Sequence, residues 1–171
     1  MNSDQLTENE YAIFFSNYIN ILENVNLQEE LEICLHDFIR FVQNIPLDKF
    51  DYRYDDNKWT IKEIIQHLID AERIFQYRAL RISRADKTPL PGFNENDYVN
   101  NSSGNSRSIQ DLLTEMAVVR QSTLSLYKSF SNEQLILIGN ASNNEISVRA
   151  IGFIIIGHQK HHQKIFLERY L

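Results

Sequence analysis

The sequence predicts an all-α protein: a four-helix bundle with a short N-terminal helix packed against it. Glycine and proline together supply only eight of 171 residues (5 plus 3), which is just under 5% against about 12% in average usage. Apolar residues recur at helical spacing in four long stretches, as in bundle helices. Capping residues precede these stretches. With 43% hydrophobic residues, the chain is expected to form one domain over residues 1–171.

The first two helix starts are predicted from capping boxes, in which a Ser, Thr or Asn side chain is followed three residues later by Glu or Gln. Thr7 with Glu10 predicts the short N-terminal helix. Asn26 with Glu29 predicts the start of the first long helix. Pro46 ends that helix, because proline disfavours helical geometry at the residue before it.

The second long helix has the strongest start pattern in the chain. Thr60 with Glu63 forms a capping box, and Trp59 with Ile64 fits the apolar staple that often flanks one. We expect this helix to run to about Arg84. Three further starts are predicted: Ser108 with Asp111 for a third long helix to near Phe130, Ser131 with Gln134 for one more turn, and Ser147 for a fourth long helix nearly to Leu171.

The segment Asp86–Arg107 lacks clear periodicity. It is long for a connection inside a bundle, and such segments are often functional. It is therefore a candidate cover for a site.

Charge and cysteine content narrow the class of protein. The net charge is −6, which disfavours binding to nucleic acid or to an anionic membrane. The densest apolar stretch, Ile151–Ile156, is too short to span a bilayer. Cys34 is the only cysteine, and no signal peptide is visible at the N-terminus, so we expect a cytoplasmic location.

Histidines are concentrated in the fourth long helix. His158 and His162 are four residues apart, which places both on one helical face with Ile151, Ile154, Ile155 and Ile165. Two inward imidazoles on one face are a common half-site for Zn²⁺ or Ni²⁺. The alternative is a pair of hydrogen-bonded core histidines. Gly152 and Gly157 would allow another element to approach this helix closely, and His161 is expected to face outward.

His67, on the inward face of the second long helix, is the third candidate ligand. At 1.5 Å rise per residue it lies about 10 Å from the start of its helix, and the midpoint of His158 and His162 lies about 15 Å from the end of theirs. These levels nearly match if the two helices are antiparallel. The sequence thus permits a His67, His158, His162 metal site with a free position for water or substrate.

Other polar residues have simpler interpretations. His36 is expected at the surface and Cys34 in the core. The basic residues Arg73, Arg78, Arg81 and Arg84 are expected on a solvated face, although one or two could reach an anionic ligand. Three carboxylates are candidate bases by sequence position only: Asp70, Glu72 and Glu168.

The sequence resembles the DinB/YfiT-like superfamily over nearly its whole length. The resemblance rests on Lys58-Trp-Thr-Ile-Lys-Glu-Ile-Ile-Gln-His67, Asp70-Ala-Glu-Arg-Ile-Phe-Gln-Tyr-Arg-Ala-Leu80 and Gly157-His-Gln-Lys-His-His162. It implies an up-down-down-up bundle, often a homodimer, with nickel or zinc bound by His67, His158 and His162. It also implies the stand-alone, bacillithiol-transferase-like branch of the superfamily.

Three functions follow as hypotheses. The first is a metal-dependent thiol S-transferase that activates a low-molecular-weight thiol, such as bacillithiol, for attack on a small electrophilic substrate. The second is a metal-dependent hydrolase that uses water. The third is a non-enzymatic, metal-binding stress-response module. A bundle that holds no metal is the remaining alternative.

Overall fold

The protein folds into seven α-helices and one two-stranded antiparallel sheet, joined by short 3-10 turns. The computed structural model describes all 171 residues. In chain order the elements are α1 (Ser16–Ile19), α2 (Leu27–Gln43), α3 (Ile61–Ser83), α4 (Glu95–Asn101), α5 (Ile109–Lys128), α6 (Asn132–Leu135), β1 (Ile138–Ala141), β2 (Asn144–Ser147) and α7 (Val148–Ile165). A π-helical turn, Phe166–Tyr170, continues α7. None of the helices has the length and apolar content needed to cross a membrane.

Contacts along α2 and α7 show that these two helices of the bundle are parallel. Near the start of both, Leu27 lies beside Gly152. Near the end of both, the rings of Phe38 and Phe166 are 6.1 Å apart.

The other two bundle helices, α3 and α5, run in the opposite direction to α7. His67 in the second turn of α3 meets His162 near the end of α7, so α3 and α7 are antiparallel. Helices α3 and α5 are parallel, because two hydrogen-bonded pairs between them, Arg73 with Glu115 and Gln76 with Ser122, advance toward the C-terminus in both helices. The bundle is therefore up-down-down-up, as the family resemblance implies.

The predicted caps of the long helices are confirmed. Each cap side chain accepts a backbone N–H of the first turn, in the order Asn26, Thr60, Ser108, Ser131 and Ser147. The observed ends, Gln43, Ser83 and Lys128, lie within about two residues of expectation. Local capping chemistry thus determines where the bundle helices begin.

The N-terminal helix differs from the prediction. The Thr7 capping box starts only a 3-10 turn, Glu8–Glu10, and the single α-helical turn of this segment is α1. The carboxylate of Glu10 accepts from the Thr7 N–H and also pairs with Arg149, which ties the turn to α7. The segment still packs against the bundle: the Tyr18 carbonyl oxygen lies so close to Gly157 that a Cβ at that position would overlap it.

Two elements were not predicted. A β-hairpin precedes α7, and its turn residues Ser142 and Asn143 both have positive φ, 53° and 62°. Those conformations suit a two-residue hairpin turn, but the pair lacks the glycine that usually marks one. Helix α4 lies inside the segment expected to be irregular, where the Asn94 side chain caps it.

The core has two apolar clusters stacked along the bundle. One contains Phe75 and the α7 residues up to Ile156, and the other contains Ile64 and Phe166. His158 and His162 occupy the part of α7 between the two clusters. The polar residues of interest therefore interrupt the apolar core.

Candidate metal centre

Three histidine side chains meet between α3 and α7. His67 Nε2 lies 3.0 Å from His158 Nε2, which lies 3.1 Å from His162 Nε2. The ligand atoms of the three residues all lie within 4.8 Å of one another. All three rings are buried, with residue exposures of 3%, 5% and 8%. The structure thus brings together the three histidines selected from the sequence.

The donor set fits a cation. An N–H···N contact needs one protonated and one unprotonated nitrogen, and His158 Nε2 carries either a hydrogen or a lone pair. It can therefore complete only one of its two contacts, whereas a cation satisfies all three nitrogens. Tetrahedral zinc–nitrogen bonds of about 2.0–2.1 Å place ligand nitrogens about 3.3 Å apart. The observed contacts of 3.0 and 3.1 Å need only a small expansion to reach that spacing.

Burial keeps these imidazoles in the neutral form that binds metals. It lowers the pKa of His67 to about 4. Burial and the neighbouring histidines together hold the pKa values of His158 and His162 well below their usual range. The three imidazoles are therefore uncharged at neutral pH, which is the form that binds a metal.

Aromatic side chains enclose the triad. The Trp59 ring lies 4.9 Å from that of His67, and the Tyr18 ring lies 5.1 Å from that of His158. The Phe75 ring is 6.5 Å from the His158 ring and meets it at 84°. Trp59 thus has a second role beside its predicted staple, because it fixes one side of His67.

The accessible side of the site is a pocket of about 200 Å³ beside His162. It is lined by Tyr54, Asn57, Lys58, Trp59, Ile64, Asn96, His162, Ile165 and Tyr170. Since Asn96 belongs to α4, the segment Asp86–Arg107 does cover part of the site. A larger surface groove, about 710 Å³, also uses residues of α4, but no histidine of the triad lines it.

Most other sequence-predicted residues lie where expected. His36 is exposed, and Cys34 is a buried core thiol. His161 is only half-buried and packs its ring 5.2 Å from that of Tyr18, outside the triad.

The prediction that the arginine series lies on a solvated face is wrong for Arg78, which is only 4% exposed. Its guanidinium donates to the Pro91 carbonyl and to Ser142 Oγ. Arg73 and Arg84 are exposed as predicted, and Arg81 is partly exposed and pairs with Asp86. Arg78 is held by a loop and a hairpin that the sequence did not reveal.

The candidate bases are placed poorly for that role. Both oxygens of Glu72 accept hydrogen bonds from Arg120, so this carboxylate is committed to a buried ion pair. Glu168 is exposed and lies 3.7 Å from Lys164. Asp70 accepts from Gln66 and opens into the larger groove. None of the three lines the pocket beside His162.

Sequence reasoning missed most of the residues that shape this pocket. Tyr54 and Asn96 lie in irregular or short segments, and Tyr170 lies beyond the regular part of α7. The available signal was compositional: three aromatic residues, Tyr52, Tyr54 and Trp59, are clustered just before α3.

Comparison with known proteins agrees with the fold and with these motifs. Residues 30–166 match the model of the DinB superfamily. The chain therefore belongs to the DinB superfamily. No curated protein matches it significantly.

Among solved structures the chain is similar to YfiT from Bacillus subtilis, described as a probable metal-dependent hydrolase with an unusual four-helix bundle topology. The TM-score is 0.75 at 15% identity, and the match covers 93% of this chain and 91% of YfiT. At this identity the likeness establishes the shared fold.

Proposed function

We propose that the protein is a metal-dependent enzyme whose metal, nickel or zinc, is held by His67, His158 and His162. The convergence of the Nε2 atoms of three buried, uncharged imidazoles, one of which (His162) lines a pocket, carries this proposal. Imidazole nitrogens suit both metals, and three protein ligands leave a position for an external molecule. A bound divalent ion would supply Lewis-acid chemistry and lower the pKa of a thiol or water beside it.

We infer that thiol S-transfer is the reaction this site supports best. The residues that line the pocket include no cysteine, serine, aspartate or glutamate, so the protein places neither a cysteine or serine nucleophile nor a carboxylate base there. A low-molecular-weight thiol such as bacillithiol brings its own nucleophilic sulfur. The thiol gives up its proton to solvent, its sulfur forms a bond to carbon of the electrophilic substrate, and the substrate's leaving group (chloride in monochlorobimane) departs with the electrons of the broken bond. The chain contributes orientation and exclusion of water: Trp59 and Tyr170 form an apolar wall next to His162.

Hydrolysis is the second candidate, because YfiT is described as a probable metal-dependent hydrolase. Of the three candidate carboxylates, Glu72 and Glu168 are ion-paired. Asp70, on α3, accepts a hydrogen bond from Gln66 and forms no ion pair. Its side chain faces the larger groove, so a hydrolytic substrate would have to reach the site from that side.

The test begins with metal content. Purified protein is stripped with a chelator, reloaded with zinc or nickel, and assayed for conjugation of bacillithiol, mycothiol or glutathione to monochlorobimane. We expect His158→Ala to lose both bound metal and turnover, because the central nitrogen of the triad is removed. His36→Ala changes an exposed histidine and should keep both.

Three outcomes contradict the proposal. If elemental analysis finds no metal in reloaded wild-type protein, the proposed metal site does not exist. Metal-loaded protein without thiol-dependent turnover, but with thiol-independent ester or amide cleavage, would favour the hydrolase. Metal that raises the melting temperature with no turnover of either kind would favour a binding module.

A further inference from the structure

The pocket beside His162 differs in charge from the rest of the molecule. The chain carries 23 acidic and 17 basic residues, yet no carboxylate lines this pocket and one lysine does. Lys58 forms no ion pair within the protein, and it lies at the exposed rim. The side chains of Asn57 and Asn96 also have no hydrogen-bond partner within the protein. Three polar groups thus remain free to bind a ligand.

The larger groove provides the contrast. It contains Asp70 and Asp97, and its two guanidinium groups, Arg73 and Arg107, both pair with Glu115. Its cations are therefore already neutralised. Of these two cavities, only the pocket beside the triad offers a small anion a cation that is not already paired.

The apolar part of the pocket is built largely from aromatic rings. The rings of Tyr54 and Tyr170 meet edge to face, with centroids 5.2 Å apart at 87°. The Tyr170 hydroxyl donates to the Trp59 carbonyl oxygen, which fixes the ring and removes that hydroxyl from ligand binding. Aromatic walls favour planar ligands because rings gain from stacked or edge-to-face contact. The volume, about 200 Å³, is below the roughly 300–1,000 Å³ of pockets for drug-sized ligands.

We infer that the electrophilic substrate is a small, planar molecule that carries one carboxylate. Its ring lies against Tyr54, Trp59 and Tyr170, and its carboxylate is bound by Lys58 with help from the two asparagine amides. This inference rests on the proposed function in taking the pocket as the substrate site. It adds the chemical class of the substrate.

Simple probes test this class. Benzoate has the ring and the charge, benzamide keeps the shape without the charge, and cyclohexanecarboxylate keeps the charge without the planar ring. Binding of each is measured by NMR titration on zinc-loaded and on metal-free protein. Because a charged hydrogen bond is stronger than a neutral one, we expect benzoate to bind at least about fivefold more tightly than benzamide in both forms.

Variants of the chain test which residues cause the preference for benzoate over its two analogues. Lys58→Met should remove the advantage of benzoate over benzamide. Lys128→Met, which changes an exposed lysine on α5 outside the pocket, should keep it. Tyr54→Leu should reduce the advantage of benzoate over cyclohexanecarboxylate.

Equal binding of benzoate and benzamide to the metal-free protein would overturn the inference. So would benzoate binding that needs zinc and is unchanged in Lys58→Met, because the carboxylate would then be a metal ligand. Neither outcome depends on turnover. Failure of the proposed enzyme activity, seen as absent metal or absent conjugation, is therefore distinguished from failure of the substrate class.

Discussion

Two buried polar clusters lie next to each other in this bundle, and they are built on opposite principles. One is centred on Arg120 of α5, which is 1% exposed. Its guanidinium donates to Glu72 at 2.7 and 2.9 Å, to the Leu31 carbonyl at 2.9 Å and to Gln159 Oε1 at 3.0 Å. The other is the histidine triad, one residue away from Gln159 on α7.

The Arg120 cluster is complete within the protein. Every buried donor and acceptor of Arg120 and Glu72 has a partner, and the partners come from all four bundle helices. The triad is incomplete: its three Nε2 atoms converge but cannot all satisfy one another, and the buried Nδ1 of His162 has no partner. Since native proteins rarely leave buried polar groups unsatisfied, the incomplete cluster is the one that calls for an external ligand.

Breaking the complete cluster should have the largest effect on stability. Glu72→Ala leaves the Arg120 charge buried without its partner, and such a change costs about 3–5 kcal/mol of unfolding free energy. Urea unfolding of the metal-free protein measures this cost. The double variant Glu72→Leu with Arg120→Met removes both charges and should recover a large part of the loss. Equal stability of Glu72→Ala and wild type would show that the ion pair is not structural.

Completing the incomplete cluster should raise stability by a smaller amount. A ligand that binds only the folded state adds about 2.7 kcal/mol at a concentration 100 times its Kd. For a chain of this length that corresponds to about 5–10 °C in melting temperature. We therefore expect zinc to raise the melting temperature of wild-type protein and a chelator to reverse the rise. Calorimetry with and without metal measures both.

The two clusters can be separated by variants in the same experiment. His162→Ala should abolish the zinc-dependent rise, while the Glu72→Leu with Arg120→Met variant should keep it. A rise of equal size in His162→Ala would place the stabilising metal elsewhere in the chain.

The triad was predictable because its main information is local. His158 and His162 share a helical face by spacing alone, and the Thr60 cap fixes the register of α3 that carries His67. The ion pair between Arg120 and Glu72 joins residues 48 positions apart, and no local sequence pattern predicts it. The same holds for Arg78, whose burial depends on an unpredicted hairpin, and for Tyr54, Asn96 and Tyr170 around the pocket.

A third buried polar group, Glu10, lies in the N-terminal segment and can be compared with the two clusters. Burial raises its pKa, but hydrogen bonds from Arg149, Ser147 and the Thr7 backbone more than offset this and lower the pKa to about 2. Like the Arg120 cluster, Glu10 is satisfied within the protein. It should therefore contribute stability and be indifferent to metal.

The pH dependence of unfolding tests this assignment and should show the smallest effect. Because the folded pKa of Glu10 lies below the ordinary 4.5, its contribution is complete above about pH 4.5 and is lost as the pH falls toward 2. Glu10→Gln should cost about 1–3 kcal/mol at pH 7 and flatten the fall in urea midpoint between pH 5 and pH 3. Glu8→Gln changes an exposed carboxylate two residues away and should keep the wild-type profile. If Glu10→Gln also kept that profile, the N-terminal segment would be held by its other contacts, such as the backbone hydrogen bond from Ser3 to Val25, and not by Glu10.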